Sequence, residues 1–152
     1  MARRFRFRLA PLLKLREARK KDAQRLLGKV MGELQILRNH LDDIKQLQNS
    51  TFQQRSVGRG QAVNLDLWRS IERFLVSLER KIDETNVEIA RVQLLADEAR
   101  RALTKAHREH LTLLRLKERR QEQYDFEVSK EEQQQADELA VLRYQYKSPR
   151  AS

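Results

Sequence analysis

The sequence contains no cysteine, only two prolines and four glycines, and aromatic residues make up 6% of its 152 residues. Disulfide bonds and thiolate chemistry are therefore excluded, and a reducing compartment is expected. The scarcity of proline and glycine leaves few points at which a helix would break. No apolar run approaches the roughly 20 residues that a membrane-spanning helix needs. The basic N-terminus lacks a continuous apolar core and a cleavage site, so we expect no signal peptide.

Charge, by contrast, is abundant and unevenly distributed. Charged residues make up 36% of the chain, and the formal net charge is +10. The first 30 residues hold eleven basic and two acidic residues, whereas residues 121–152 hold four basic and seven acidic ones. This composition is typical of long paired helices rather than of a thick globular core. The basic end suggests an acidic protein surface, nucleic acid or anionic lipid as a partner, or simply a solvated helix end.

The breaks in the sequence predict two helices. Pro11 suits the first turn of a helix, where its missing N–H has no partner within the helix. Gly58 and Gly60 lie in the only clear interruption, and Asn64 has N-capping chemistry just after it. The sequence therefore predicts a single domain, 1–152, which consists of a basic arm (1–10), helix 1 (about 11–54), a hairpin loop (56–63), helix 2 (64–146) and a tail (147–152).

Apolar residues recur at alternating spacings of three and four in both helices, which is the pattern of a coiled-coil seam. The seam positions of helix 1 are Leu9, Leu13, Arg16, Lys20, Ala23, Leu27, Val30, Leu34, Leu37, Leu41 and Ile44. Those of helix 2 are Trp68, Ile71, Leu75, Leu78, Ile82, Thr85, Ile89, Val92, Ala96, Ala99, Leu103, Ala106, His110 and Leu113. A short loop forces two such helices to run antiparallel. The predicted fold is therefore all-α, with two long helices that form an antiparallel two-stranded coiled coil.

The position of the turn predicts which residues face each other. A turn near residue 59 places Leu9 opposite Glu109 and Leu47 opposite Ile71. Helix 1 would then end where helix 2 reaches about residue 112, so that the rest of helix 2 forms a single-helix overhang of about 45 Å. Because an isolated helix of this length is only marginally stable in water, the overhang must fray, fold back or be held by another protein.

Large apolar residues also lie beside the seam. Leu67 and Phe74 occupy the g edge of helix 2, and Leu47 occupies the g edge of helix 1. The g edges face each other in an antiparallel pair, so Leu47 is expected to lie between Leu67 and Phe74. These side chains either broaden the seam or form an exposed docking patch.

Catalytic and metal-binding motifs are lacking. The sequence has no phosphate-binding loop and no Ser/His/Asp arrangement. His107 and His110 are spaced for one helix face, but two ligands without a third make a weak metal site. We therefore expect a protein that is not an enzyme and that has no cofactor and no bound metal.

Four stretches, taken together, resemble the FliJ family of bacterial flagellar export. These are "FRFRLAPLLKLRE" at 5–17, "DAQRLLG" at 22–28, "LWRSIERFLVSLERKI" at 67–82 and "ADELAVLR" at 136–143. They occur in the order and spacing of that family and cover nearly the whole chain. The YscO-like stalk proteins of injectisomes are the related alternative.

The resemblance implies a coiled coil similar to the gamma subunit that forms the central stalk of rotary ATP synthases. In the family, the end that carries both termini binds the hexameric export ATPase, and the other end reaches the membrane export gate protein FlhA. Export chaperones are further partners that the resemblance suggests. It implies a location in the bacterial cytoplasm, peripheral to the inner membrane at the flagellar basal body. We expect no nucleic-acid partner and no direct membrane insertion.

The resemblance also implies site residues. Phe74 and Leu78 on helix 2 match the family's gate-contacting positions, as do Ile44 and Leu47 on helix 1. The family carries tyrosine at the Leu47 position, at least in enterobacterial members, and Leu67 joins this set from its place on the g edge. The residues expected to contact the ATPase are Phe5, Arg6, Phe7, Arg8, Leu12, Arg16, Lys20, Arg120 and Tyr124.

Two other functions remain open from the residues alone. Phe5 and Phe7 alternate with arginines, so the basic arm could bind nucleic acid by stacking and phosphate contacts. A purely structural scaffold or dimeric rod is the second alternative. A steep fall of affinity for random DNA and RNA with salt would favour the first, and a mass measurement with a pull-down against the ATPase would test the second.

Overall fold

The computed structural model describes residues 4–57 and 64–147. In these ranges the chain forms two helices, α1 (Ala10–Val57, 48 residues) and α2 (Leu65–Lys147, 83 residues), and contains no strand. The two helices pack against each other as a helical hairpin, which confirms the predicted fold class. Residues 58–63 of the predicted loop and 148–152 of the predicted tail lie outside the described residues.

Both helices begin at residues suited to that position. The Leu9 carbonyl accepts the Leu13 N–H at 2.9 Å, so Pro11 lies in the first turn, where no N–H is needed. The Asn64 side-chain oxygen accepts the backbone N–H groups of Asp66 at 3.1 Å and Leu67 at 3.4 Å, as its capping chemistry predicts. α1 continues three residues beyond its predicted end at residue 54.

The chain divides into two compact units. We call residues 1–19 with 106–152 the terminal unit, and residues 20–105 the internal unit. The internal unit has a narrow core in which Val30 and Leu34 of α1 pack against Val92 and Ala96 of α2. A two-layer contact of this kind buries one stripe of each helix and leaves the other faces in solvent.

The burial pattern of the internal unit follows the predicted seam. From Lys20 to Ile44 in α1, and from Ile71 to Leu103 in α2, every predicted seam residue is buried or half-buried. Thr85, a polar seam residue, donates its hydroxyl to the Lys81 carbonyl at 2.7 Å, which satisfies the hydroxyl inside the seam.

The predicted register is wrong by about one heptad. The Arg16 guanidinium lies 2.5 Å from the Glu109 carboxylate, whereas the predicted register placed Leu9 opposite Glu109. In the internal unit, Arg55 Nη1 lies 2.6 Å from Glu72 Oε1, although the predicted register paired Leu47 with the neighbouring Ile71. A shift of seven residues places seam positions opposite seam positions again, so the apolar pattern cannot detect it. The prediction depended on the assumed turn near residue 59.

This register explains why Trp68 is exposed although it lies at a predicted seam position. Counting back from the Arg55–Glu72 pair, the last residue of α1, Val57, lies opposite about Ser70. No residue of α1 therefore lies opposite the first turn of α2, and Asn64 to Ser70 are all exposed.

The single-helix overhang begins later than predicted. α2 stays half-buried at Leu113, Tyr124 and Val128, well beyond the predicted limit at residue 112. From Ser129 to Lys147 every residue is exposed, and we call these 19 residues the C-terminal segment. The later start has two causes, which are the register shift and the packing of residues 4–9 along α2.

Candidate protein-interaction surfaces

Residues 4–9, which precede α1 and which we call the N-terminal arm, alternate between buried and exposed side chains. Phe7 is only 8% exposed and Phe5 is half-buried, whereas Arg4, Arg6 and Arg8 are exposed. Residues 4–7 form neither helix nor turn, and the alternation along them is that of an extended chain, whose successive side chains point to opposite sides. The arm therefore turns its aromatic side toward the protein and its basic side toward solvent.

The aromatic side chains of the arm contact α2 within the terminal unit. The ring centroids of Phe5 and Tyr124 are 5.6 Å apart. The Arg120 guanidinium carbon lies 5.9 Å from the centroid of the Phe7 ring, within the range of a cation–π contact. The Tyr124 hydroxyl is enclosed and has no hydrogen-bond partner among the described residues. The aromatic ring, and not the hydroxyl, therefore stabilises this contact.

Four residues that the sequence assigned to the ATPase thus form two contacts within the chain, Phe5 with Tyr124 and Phe7 with Arg120. With 8% of its surface exposed, Phe7 offers little area to any partner. The same burial disfavours base stacking on this ring, which the nucleic-acid alternative requires. The period-two alternation of phenylalanine and arginine was the sequence signal for a docked strand-like arm.

The other residues of the predicted ATPase set differ in accessibility. Arg16 forms the ion pair with Glu109, and both side chains are about one-third exposed or less. Leu12 and Lys20 are half-buried, whereas Arg6 and Arg8 are exposed. The arginines of the arm are therefore accessible to a partner, as is Arg120.

The residues predicted to contact the export gate separate into two groups in the internal unit. Ile44 and Leu78 are buried in the seam, with 6% and 2% of their surfaces exposed. Leu47, Leu67 and Phe74 are exposed, and Phe74 keeps 42% of its surface in solvent. Only the second group can meet a partner without opening the coiled coil.

The predicted placement of Leu47 between Leu67 and Phe74 is wrong. The Arg55–Glu72 pair sets the antiparallel register. Leu47 is eight residues before Arg55 and Arg80 is eight residues after Glu72, so these two residues lie opposite each other. Phe74 is six residues from Arg80, which corresponds to about 9 Å along the helix axis. Leu47 therefore lies beside the seam at a different level from Phe74.

The structure adds an exposed aromatic residue that the sequence analysis missed. Phe52 is 40% exposed in the internal unit, and the Arg55 guanidinium carbon lies 5.2 Å from the centroid of its ring. Because Arg55 also pairs with Glu72, it links Phe52 to α2. Finding Phe52 from the sequence would have required the correct register, since the predicted seam ended at Ile44.

The C-terminal segment exposes a stripe of apolar side chains at helical spacing. Leu139, Leu142 and Tyr146 are separated by three and four residues, and each is more than half exposed. Val141 and Tyr144 are exposed beside them. Contiguous exposed apolar stripes of this kind often mark interaction sites, whereas single exposed apolar residues are ordinary.

The described residues show neither a metal-binding cluster nor a membrane-spanning helix. In the ranges 4–57 and 64–147, no three histidine or acidic side chains converge to hold an ion. Over the same ranges, neither helix is long and apolar enough to cross a bilayer. Glu88 pairs with Arg91 on the surface of α2. The hydrogen bond from Arg91 lowers the pKa of the Glu88 carboxyl below its usual range.

Comparison with known proteins identifies a family. The family model described as "Flagellar FliJ protein" matches residues 5–148. No curated protein matches the chain. A solved structure described as a YscO homolog from Chlamydia trachomatis is 19% identical, with a TM-score of 0.48, and the alignment covers 97% of this chain and 99% of that chain. Since the family model spans nearly the whole sequence, the chain belongs to the FliJ family of flagellar proteins, which are components of the protein export apparatus.

Proposed function

We propose that this chain is the central stalk of the hexameric export ATPase and links that ATPase to the membrane export gate protein FlhA. The observation that carries the proposal is the C-terminal segment, a continuation of α2 in which all 19 residues are exposed. Membership of the FliJ family supplies the export apparatus as the setting.

The C-terminal segment has the properties of a surface that is completed by a partner. A single helix of this length is marginally stable in water, because most helix stability in proteins comes from packing of an apolar face. Leu139, Leu142 and Tyr146 form such a face but are exposed. A cavity in an ATPase ring would bury this stripe and hold the segment in its helical conformation.

The charge distribution of the terminal unit supports an acidic partner. Arg4, Arg6 and Arg8 of the arm are exposed, as are Lys14 and Arg19 near the start of α1. Positive charge at this density attracts an acidic surface and speeds association, more strongly at low ionic strength. We therefore assign ATPase contact to the arginines of the arm together with the C-terminal segment.

The stalk would act on the ATPase by contact and not by chemistry of its own. A single chain has no six-fold symmetry, so it presents different side chains to each of the six subunits around it. Unequal contacts favour some subunit conformations over others, and a ligand shifts an equilibrium only through such differential binding. In this way the chain would promote ring assembly and hydrolysis while the ATPase carries the catalytic residues.

The gate contact is assigned to the internal unit. Phe74 and Leu67 offer exposed apolar surface on α2, and Leu47 offers it on α1. Aromatic residues are enriched among the residues that dominate interface energies. Ile44 and Leu78 would support this surface from the seam, because both are buried.

The test of ATPase binding uses exposed positions, where substitution leaves the fold intact. Changing both Leu139 and Leu142 to Asp should abolish co-purification with the ATPase hexamer and the stimulation of hydrolysis. The matched control changes Val87 and Leu94 to Asp, because these residues are also exposed and lie on α2. Equal stimulation by both variants would contradict the assignment of the C-terminal segment.

A second test addresses charge. Changing Arg6 and Arg8 to Glu should weaken ATPase binding about tenfold or more at low salt, and the difference from the native chain should shrink as salt screens exposed charges. The control changes Arg38 and Arg101, which are also exposed, to Glu. Equal weakening by the control pair would show that net charge matters and the arm does not.

A further inference from the structure

We propose that Phe5, Phe7, Tyr124 and Arg120 are positioning residues, which clip the N-terminal arm onto α2 so that its arginines face an acidic partner in a fixed arrangement. The identity of that partner rests on the proposed function, in which it is the export ATPase. The clip itself is a property of this chain alone.

The burial pattern shows that the arm is held and not free. A free basic peptide would expose its phenylalanines and arginines alike, yet Phe7 is more than nine-tenths buried while Arg6 and Arg8 are exposed. The Ala10 N–H donates to the Phe7 carbonyl at 3.1 Å, so a turn joins the docked ring directly to the start of α1. The arm is thereby tied at Phe7 on both its side chain and its backbone.

Two contacts with α2 determine where the arm lies. Tyr124 meets Phe5 and Arg120 covers Phe7, and these two residues of α2 are four apart, on one face of the helix. Phe5 and Phe7 are two apart on one side of an extended chain, a separation of about 6.6 Å. One turn of α2 spans about 5.4 Å, so the two spacings match closely enough for both rings to dock together.

The same spacing defines the partner. Arg4 and Arg6 lie about 6.6 Å apart on the opposite side of the extended arm. Acidic side chains one turn apart on a helix have nearly this separation and could pair with both arginines at once. We therefore infer that the partner surface is a helix that carries acidic residues four positions apart. Holding the arginines at this spacing before binding reduces the ordering cost of the encounter.

The Tyr124 hydroxyl provides a built-in control. It is enclosed but has no hydrogen-bond partner among the described residues, so the clip uses the ring and not the hydroxyl. Tyr124→Phe should therefore hold the arm at least as well as the native residue does. Phe7→Ala removes the buried ring and should release the arm, and Phe7→Leu should restore part of the contact by its apolar volume.

The first measurement concerns the isolated full chain. Trypsin cleavage after Arg4, Arg6 and Arg8, followed by mass spectrometry, reports release of the arm, because cleavage requires a segment that opens from its docked position. We expect about tenfold faster cleavage for Phe7→Ala, a native rate for Tyr124→Phe and an intermediate rate for Phe7→Leu. Native-like cleavage of Phe7→Ala would overturn the clip.

The second measurement concerns ATPase binding at several salt concentrations. Phe7→Ala keeps every charge, so its affinity should fall about tenfold while the slope of affinity against salt stays native. Changing Arg4 and Arg6 to Gln should lower both affinity and slope, because fewer charges are engaged. Release of the arm by Phe7→Ala with native affinity would overturn the positioning role and leave the proposed function standing. Absence of binding by the native chain would refute the proposed function, and the role with it.

Discussion

Residues 75–99 and 129–147 belong to the same helix, α2, and both carry apolar side chains at coiled-coil spacing. In the first stretch Leu75 and Leu78 are almost fully buried, because α1 lies opposite them. In the second, Leu139 and Leu142 have the same chemistry and similar spacing but remain more than half exposed. The difference between the two stretches is therefore the presence of a covering chain, not their sequence character.

The region between these stretches shows that an irregular chain can also cover a helix. Along residues 113–128 the covering element changes from α1 to the N-terminal arm, and Tyr124 and Val128 stay half-buried. The exposed stretch begins at Ser129, five residues beyond the contact of Tyr124 with Phe5. Stability of the free chain should accordingly reside in the covered stretches, and the uncovered segment should matter for binding only.

The largest effect on stability is expected in the seam. Leu75→Ala should lower the free energy of unfolding by about 2–4 kcal/mol, because it removes a buried leucine side chain and leaves a cavity. Urea denaturation followed by circular dichroism measures this change. A loss below about 1 kcal/mol would show that the seam is less tightly closed than its burial indicates.

Phe74→Ala, one residue away, should have a smaller effect on stability. Phe74 lies beside the seam and keeps 42% of its surface exposed. Truncation should cost about 1 kcal/mol, since only part of the ring is removed from water. ATPase stimulation should persist while binding to the export gate falls, as measured by pull-down. If Phe74→Ala unfolds as readily as Leu75→Ala and still binds the gate when folded, Phe74 belongs to the core.

Arg55→Gln should be milder still. The substitution removes the ion pair with Glu72 and the contact with the Phe52 ring, but the Arg55 side chain is about one-quarter exposed. Partly exposed pairs of this kind contribute about 0.5–1 kcal/mol. The loss should diminish in high salt, which a denaturation series at two salt concentrations would reveal. Arg73→Gln, at an exposed neighbouring position, is the control.

The smallest stability change is expected for Leu142→Ala in the C-terminal segment. Leu142 is 60% exposed, so truncation removes little buried surface, and alanine is the better helix former. The free energy of unfolding should change by less than about 0.5 kcal/mol, although ATPase binding should weaken. A destabilisation comparable to that of Leu75→Ala would mean that the segment is covered in solution.

The sequence predicts the local features of this fold but not the register between the two helices. The seam, the pair of long helices and the Asn64 cap were predictable, because apolar periodicity and capping chemistry are local properties. The register was not, since a shift of seven residues leaves seam opposite seam. The pairs Arg16–Glu109 and Arg55–Glu72 distinguish the registers, but long charged side chains reach several levels and give no unique pairing in advance.

The candidate site was also predictable only in part. The basic arm and the exposed ring of Phe74 follow from charge and from edge position in the seam. The docking of Phe5 and Phe7 was missed because both rings were assigned to contacts with a partner and not to a contact with α2. Its period-two alternation belongs to an extended chain, and helix-period reasoning does not detect it.

Hydrogen exchange of the full chain with and without the ATPase hexamer tests the central claim most directly. In the free chain, amides of residues 75–99 should exchange slowly and those of residues 129–147 quickly, because only the first stretch is covered by tertiary contacts. Addition of the ATPase should slow exchange in residues 129–147 and leave residues 75–99 unchanged. Strong protection of residues 129–147 in the free chain, or none after the ATPase is added, would contradict the account.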